Sequence, residues 1–352
     1  MRIQDLDTPS VLIDREVMER NVRRFQTYCN EHGLRNRPHI KTHKVPELAR
    51  LQVSLGAVGV TCQKLGEAEV MAEAGVEDIF LPYNLLGPQK LARAVDLAGR
   101  IRLSLTCDSV TVARGLSDAA GRRGLEIPVL VECDTGMGRC GAQSPAAART
   151  LAQAVDRLPG LRFGGLMTYP PARRTERTAA FLAETLDLCA RAGLQVALVS
   201  SGGSVDMWRA HEVRGVTEHR PGTYIYNDRY MVASGTATLE DCAMRVLVTV
   251  VSRPTRDRAI IDAGSKTFSS DTLACDGYGH IVEYPDAKIY ELNEEHGYVA
   301  VAADGPGPAV GDRLHVVPNH ACVVSNLFDR VFGVRGDEVD ATWTVAARGK
   351  VQ

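Results

Sequence analysis

The stretch Arg37-Pro38-His39-Ile40-Lys41-Thr42-His43-Lys44 places a lysine between histidines at the end of an expected β-strand over residues 37–41. An amine held at the C-terminal end of a barrel strand, desolvated and close to other cations, titrates low enough to attack a carbonyl and capture an aldehyde. Lys41 is thus a candidate nucleophile, although a basic run on its own more often marks a solvated face. Further on, Cys133-Asp134-Thr135-Gly136-Met137-Gly138-Arg139-Cys140-Gly141 follows a buried strand with a glycine-rich turn. That turn projects Arg139, whose guanidinium can hydrogen-bond a phenolate or carboxylate, or can simply close a structural ion pair. Ser200-Ser201-Gly202-Gly203-Ser204 and Arg220-Pro221-Gly222-Thr223-Tyr224 carry glycines that free backbone amides for a phosphate, as in other barrel phosphate sites. Near the C-terminus, Pro318-Asn319-His320-Ala321-Cys322 follows an apolar strand. If that segment is extended, residues two apart share a side, and His320 with Cys322 could hold one divalent cation while leaving positions open. A buried cysteine beside a satisfied histidine is the plainer reading of the pair.

These residues need a scaffold, and the chain supplies a regular one. Eight short β-branched runs, at 37–41, 58–63, 79–83, 101–107, 129–134, 163–169, 196–200 and 218–226, alternate with amphipathic windows such as those at 46–55, 67–74, 88–98, 110–123, 146–158 and 178–192. Eight such alternations predict an α/β protein with a (β/α)₈ TIM-type barrel, whose site lies at the C-terminal ends of the strands; a doubly wound sheet is the competing architecture. Past Ser234 strands recur without long helices between them, at 246–252, 259–262, 297–301 and 314–317, separated by turns such as Asp304-Gly305-Pro306-Gly307-Pro308. The expected organisation is a barrel over 15–234 followed by a small all-β domain over 235–352, which residues 1–14 can join.

Composition excludes several functions. The 352 residues carry a formal net charge of −2, with no basic stripe for nucleic acid or a membrane surface. No apolar stretch is long enough to span a bilayer, and the acidic N-terminus does not read as a signal peptide, so a cytoplasmic location is expected. Nine scattered cysteines without CxxC pairs fit reduced thiols.

Taken in order, the motifs resemble those of the fold-type III pyridoxal-phosphate enzymes, within them the group of D-threonine aldolase and eukaryotic-type D-serine dehydratase. The resemblance runs from Asp7-Thr8-Pro9-Ser10 through Cys62-Gln63-Lys64, Gly138-Arg139-Cys140-Gly141, Asp262-Ala263-Gly264-Ser265-Lys266, Glu295-His296-Gly297 and Pro318-Asn319-His320-Ala321-Cys322 to Ala347-Arg348-Gly349. It implies pyridoxal 5'-phosphate carried by Lys41 and faced by Arg139, with Tyr169 and Gln63 as further cofactor contacts. Ser201, Gly202, Gly203, Ser204, Gly222, Thr223 and Tyr224 would cradle the phosphate, and His320 and Cys322 would hold a divalent metal (Mn, Zn or Mg). It further implies a small D-configured 3-hydroxy amino acid as substrate and a homodimer as the assembly.

The resemblance divides over the outcome. Aldolases of the group carry aspartate where this chain has Cys322, which favours dehydration. Trp343-Thr344-Val345-Ala346-Ala347-Arg348-Gly349 and Asn326-Leu327-Phe328-Asp329 are nearer the aldolase branch, so retro-aldol cleavage is the first expectation and elimination to a 2-oxo acid and ammonia the second. After Tyr169 the chain reads Pro170-Pro171-Ala172-Arg173-Arg174, without the histidine both branches place there, which leaves His43 or His296 as the general acid/base. A racemase has no evident use for the metal pair, and a non-catalytic cofactor carrier has none for the β domain.

Overall fold

The computed structural model describes residues 1–302 and 307–352, and it divides into two compact units. Strand β1 (Ser10–Asp14) belongs to the unit formed by Met1–Arg24, Thr42–Glu47 and Thr223–Gly349. The other unit, Phe25–Lys41, Leu48–Gly222 and Lys350–Gln352, holds eight parallel strands among the described residues. They are β2 (Arg35–Asn36), β3 (Val60–Thr61), β4 (Asp78–Leu81), β5 (Arg102–Cys107), β6 (Ile127–Cys133), β7 (Leu161–Thr168), β8 (Val199–Gly202) and β9 (Glu218–Arg220).

Their pairing order is β2-β9-β8-β7-β6-β5-β4-β3. The ring is closed past β2, where the Val58 and Thr61 amides donate to the Asn36 and Pro38 carbonyls at 2.9 and 2.8 Å and His39 bridges Thr61. Inside it, Phe80, Leu130 and Met167 pack with Leu198 as an apolar plug. The intervening helices start where capping chemistry says they should: Ser144 Oγ accepts the Ala147 amide at 3.2 Å just ahead of Pro145, and Ser109 Oγ accepts that of Val112.

In the first unit, β1 lies between β10 (Met244–Thr255), antiparallel to it, and β16 (Arg330–Arg335), parallel to it. The remaining strands β11 (Arg258–Ile261), β12 (His280–Ile281), β13 (Lys288–Leu292), β14 (Gly297–Ala300), β15 (Arg313–Val317) and β17 (Glu338–Thr344) complete a mixed nine-stranded sheet among the described residues. Val246, Val248 and Val250 of β10 are fully buried in its core.

Three expectations need correction. Lys41 does not end a strand over 37–41; it sits in a 3₁₀ turn, Ile40–Thr42, because Pro38 has no N–H with which to extend the ladder. Pro221 likewise ends β9 at Arg220, so 218–226 is a short strand followed by a 3₁₀ turn, Thr223–Ile225. The part expected as a small all-β domain over 235–352 is a sheet domain that also carries the short helices Ser265–Phe268 and Ala321–Leu327. Of the turn expected at 304–308, Asp304, Gly305 and Pro306 lie outside the described residues. Among the described residues no helix is long and apolar enough to cross a membrane.

Candidate functional site

In the barrel unit the chemistry-bearing residues gather at the C-terminal ends of the strands. Lys41 is half-buried, and its amide donates to His39 Nδ1 at 3.3 Å. That bond places the His39 proton on Nε2, which then donates to Gln63 Oε1 at 3.0 Å. Gln63 is fixed in turn by its amide, which donates to buried Glu67 at 2.8 Å.

Beyond β6, Asp134 organises the glycine-rich turn: its carboxylate accepts the Gly136 and Gly138 amides at 2.9 and 3.1 Å. Burial opposes ionisation of Asp134, but those amides and Gln143 outweigh it and hold its pKa below the ordinary value. The turn carries Arg139 to within 4.9 Å of the Tyr169 ring, guanidinium over the face, and to 4.0 Å from Glu132. Burial pushes the Glu132 carboxyl up, against the pull of Arg139.

After β8, a Cβ on Gly202 would come within 3.0 Å of Tyr169 and 3.1 Å of Arg220, so only glycine leaves the cradle open there. Gly203 has φ +108°, and its carbonyl meets His219 Nε2 at 2.8 Å. The Gly222 amide donates to Ser204 Oγ at 3.1 Å, joining the two turns read as a phosphate cradle. Two glycine turns joined in this way, with serine and threonine hydroxyls on them and a glycine with no room for a side chain, fit a phosphate group.

Two buried residues here, Arg220 at the start of one motif and His219 just before it, were given no role by the sequence. Arg220 donates to Ser200 Oγ at 2.6 Å and to the Thr168 carbonyl at 3.0 Å, and stands over Phe80. Ser200 donates on to Glu218, which accepts from Arg37 at 2.8 Å. Burial lowers the Arg220 pKa to about 10, against the carboxylates of Glu218 and Glu132, so it stays a cation at neutral pH. His219 is pushed down to about 4, first by burial, and is neutral. Because it takes up a proton only on unfolding, its stabilising contribution is complete above pH 6.5 and is lost on acidification towards pH 4, by roughly 3 kcal/mol. We expect His219→Asn to lose less stability than the parent between pH 7 and 4.5; equal shifts in their urea midpoints would refute this.

In the other unit, His320 and Cys322 come together by a route different from the extended one expected. His320 precedes helix Ala321–Leu327 and has extended backbone angles, while Cys322 lies in the first turn. The peptide between them is anchored by Asp228, fully buried, which accepts the Ala321 amide at 2.9 Å and the Met231 amide at 3.0 Å. Burial raises the Asp228 pKa to about 6. Burial also works against a protonated His320, but hydrogen bonds with Cys322 and Asp271 overcome it and raise its pKa to about 9. Asp271 Oδ2 sits 2.7 Å from His320 Nδ1, and Cys322 Sγ lies 3.1 Å from Thr42 Oγ1 and 3.8 Å from Thr223 Oγ1.

An imidazole backed by a carboxylate, next to a thiol, is a donor set that suits a borderline cation. Among the described residues no group of three or more His, Cys, Asp or Glu side chains could hold a metal, so this pair would leave coordination positions to other ligands. Neither aspartate was singled out in the sequence; the N-cap place of Asp228 ahead of helix Arg229–Ala233 is the signal that could have found it, whereas Asp271 has none. His43 is fully buried, its Nδ1 accepts the Val45 amide at 3.1 Å, and its ring meets Tyr226 edge-on. His296 lies exposed in the turn between β13 and β14. Tyr224 is buried in the turn after Gly222.

Comparison with known proteins matches residues 13–230 to the alanine racemase N-terminal domain and 243–334 to a serine dehydratase domain. A D-threonine aldolase of Arthrobacter sp is 36% identical over 98% of this chain and 93% of its own length. The crystal structure of D-threonine aldolase from Filomicrobium marinum superposes with a TM-score of 0.94 at 32% identity, covering 100% of this chain and 98% of that one. A cysteine-to-alanine mutant of D-threo-3-hydroxyaspartate dehydratase, in a metal-free form, gives a TM-score of 0.88 at 31% identity and covers 98% of both chains.

Proposed function

The chain belongs to the alanine racemase-like, fold-type III family of pyridoxal-phosphate lyases that includes D-threonine aldolase and D-serine dehydratase, and on that premise we propose that it cleaves a D-3-hydroxy amino acid to glycine and an aldehyde. When bound, pyridoxal phosphate supplies the electron sink that retro-aldol cleavage requires. Lys41 would hold the cofactor through its amine. Arg139, fixed by the Asp134 turn and set over the Tyr169 ring, would bind the cofactor's phenolic oxygen, and Gln63, held by His39, would be a further contact. Ser201, Gly202, Gly203, Ser204 and Gly222, with Thr223 and Tyr224, would hold the phosphate.

His320 and Cys322 would hold a divalent cation, whose chemistry when bound would be to lower the pKa of the substrate's β-hydroxyl. The observation that carries this reading is that pair, hydrogen-bonded together and backed by Asp271, since neither racemisation nor cofactor carriage has use for a cation. Thr42, whose hydroxyl lies against Cys322, is the residue next to Lys41 in the chain. The general acid/base is His43 or His296. His43 Nδ1 accepts the Val45 amide, which places the ring proton on Nε2 and suits this histidine to giving a proton there rather than taking one.

Cys322 favours a second reading, in which the same cation helps the β-oxygen leave and the products are a 2-oxo acid and ammonia. D-threonine and D-threo-3-hydroxyaspartate, offered with manganese or zinc, separate the two: glycine with aldehyde supports cleavage, ammonia with 2-oxo acid supports elimination. Release of neither product from either substrate sinks both. In the same proposal the enzyme is a cytoplasmic homodimer, an oligomeric state sedimentation measures directly; among the described residues none of its nine cysteines is in a disulfide.

Asp271→Asn keeps the shape but loses the charge behind His320, and we expect metal affinity to drop roughly 10–100-fold. Titration with manganese followed by calorimetry reads this without turnover. Unchanged affinity would remove Asp271 from the metal's surroundings.

A further inference from the structure

The barrel has a second opening, at the N-terminal ends of its strands, opposite the end that bears Lys41. There a cavity of about 530 Å³ lies among the first residues of β2, β4, β5, β6 and β7. Its rim carries Arg35, Arg37, Arg102 and Arg162 against Asp78 and Glu126. Its inner end is apolar, formed with Leu130 and Leu198 of the plug beneath Arg220.

The rim charges are unequally spent. Arg37 is buried and saturated, by Asp78 at 2.5 Å and Glu218 at 2.8 Å. Arg102 meets Asp78 at 3.3 Å and Glu77 at 3.9 Å, and Arg162 meets Glu126 only at 3.5 Å; both are more than half exposed. Among the described residues Arg35 makes no ion pair, although it lies on the same strand face as Arg37, two residues on. One guanidinium without a carboxylate, two loosely held ones and an apolar inner wall share a cavity large enough for a small metabolite. Guanidinium forks bind carboxylates in pairs of parallel hydrogen bonds, and several forks around one cavity select an anion with more than one carboxylate.

We propose that this cavity binds a small organic polycarboxylate, bridged by Arg35, Arg102 and Arg162 with its carbon skeleton against Leu130 and Leu198. The position gives the ligand a physical route to the reaction end of the same barrel. Asp78 leads through Arg37, Glu218 and Ser200 to Arg220, each joined to the next by a hydrogen bond. An anion that draws Arg102 away from Asp78 alters the charge on that chain.

The test is calorimetric titration of the chain saturated with pyridoxal phosphate, at constant ionic strength, with propane-1,2,3-tricarboxylate, inorganic phosphate and acetate. We expect saturable binding of one tricarboxylate per chain, weaker phosphate binding and no saturable acetate heat. Arg35→Ala and Arg162→Ala should each weaken the tricarboxylate about tenfold or more. Retention of the cofactor's visible absorbance throughout shows that the anion is not taken up by the cofactor's own phosphate cradle. No saturable tricarboxylate heat, equal binding by both variants and the parent, or phosphate bound as tightly as the tricarboxylate would each overturn the assignment. Arg35→Lys, which keeps the charge but loses the fork, should bind between the parent and Arg35→Ala.

Discussion

Replacing Lys41 by alanine is expected to lower kcat/KM by roughly a thousandfold or more, about 4 kcal/mol of transition-state stabilisation, and to abolish the visible absorbance of the bound cofactor. The other lysines near the motifs are committed elsewhere. Lys44 donates to Asn326 Oδ1 at 2.8 Å and is buried, and Lys64 stands 4.2 Å over the Tyr83 ring. Lys266 pairs with Glu295 at 2.7 Å. Lys41 is half-buried, in a turn fixed by His39 at the C-terminal end of the barrel, where an amine can be desolvated without being cut off from a ligand. Borohydride treatment of the loaded parent should attach the cofactor to the peptide containing Lys41, and no other peptide should take its place in Lys41→Ala. Lys41→Arg, which keeps the charge without a nucleophilic amine, should fail in the same way. Label on another lysine, or absorbance that survives both substitutions, would contradict the role given to Lys41.

The barrel was legible because its signals are local and repeated. Each apolar run of four to eight residues followed by an amphipathic window specifies one βα unit, and helices such as Pro88–Ala98 fall where the periodicity puts them. What misled were prolines that a pattern of apolarity does not weigh. Pro38 and Pro221 cut short the strands at both partners of the β2–β9 pair, which moves Lys41 and Thr223 from strands into 3₁₀ turns. The turn serves the chemistry better than the strand would, because consecutive residues in it point in different directions around the axis.

Site residues divided by how far their causes lie in sequence. Arg139 and Gly202 announced themselves, since a glycine-rich turn after a strand is a local signal. Asp271 could not: it reaches His320 across 49 residues, and its neighbours Ser270 and Thr272 have no special pattern. Glu218 and Arg220 were read as strand residues, whereas buried charges arranged along a barrel interior depend on which strands pair, a long-range fact. His320 and Cys322 were joined on the assumption of an extended chain. They meet instead because His320 immediately precedes a helix in whose first turn Cys322 lies, the peptide between them pinned by Asp228.

The metal pair carries the other large expected effect. His320→Ala, or removal of the cation by a chelator, should lower turnover by about a hundredfold to a thousandfold while the cofactor absorbance persists, because the cation acts on the substrate's oxygen and not on the cofactor. Readdition of manganese or zinc restores the chelated parent but not His320→Ala. Cys322 sharpens the test. A thiolate favours softer cations, whereas a carboxylate in its place suits manganese or magnesium. Cys322→Asp should therefore change the order of metals that support turnover. On the aldolase pattern it should also raise the ratio of glycine to ammonia among the products. The thiol is held by the Thr42 hydroxyl at 3.1 Å, so Thr42→Val, by freeing it, should weaken the metal without changing that ratio. A chelated enzyme that turns over at the parent's rate would end the case for a cation at His320 and Cys322.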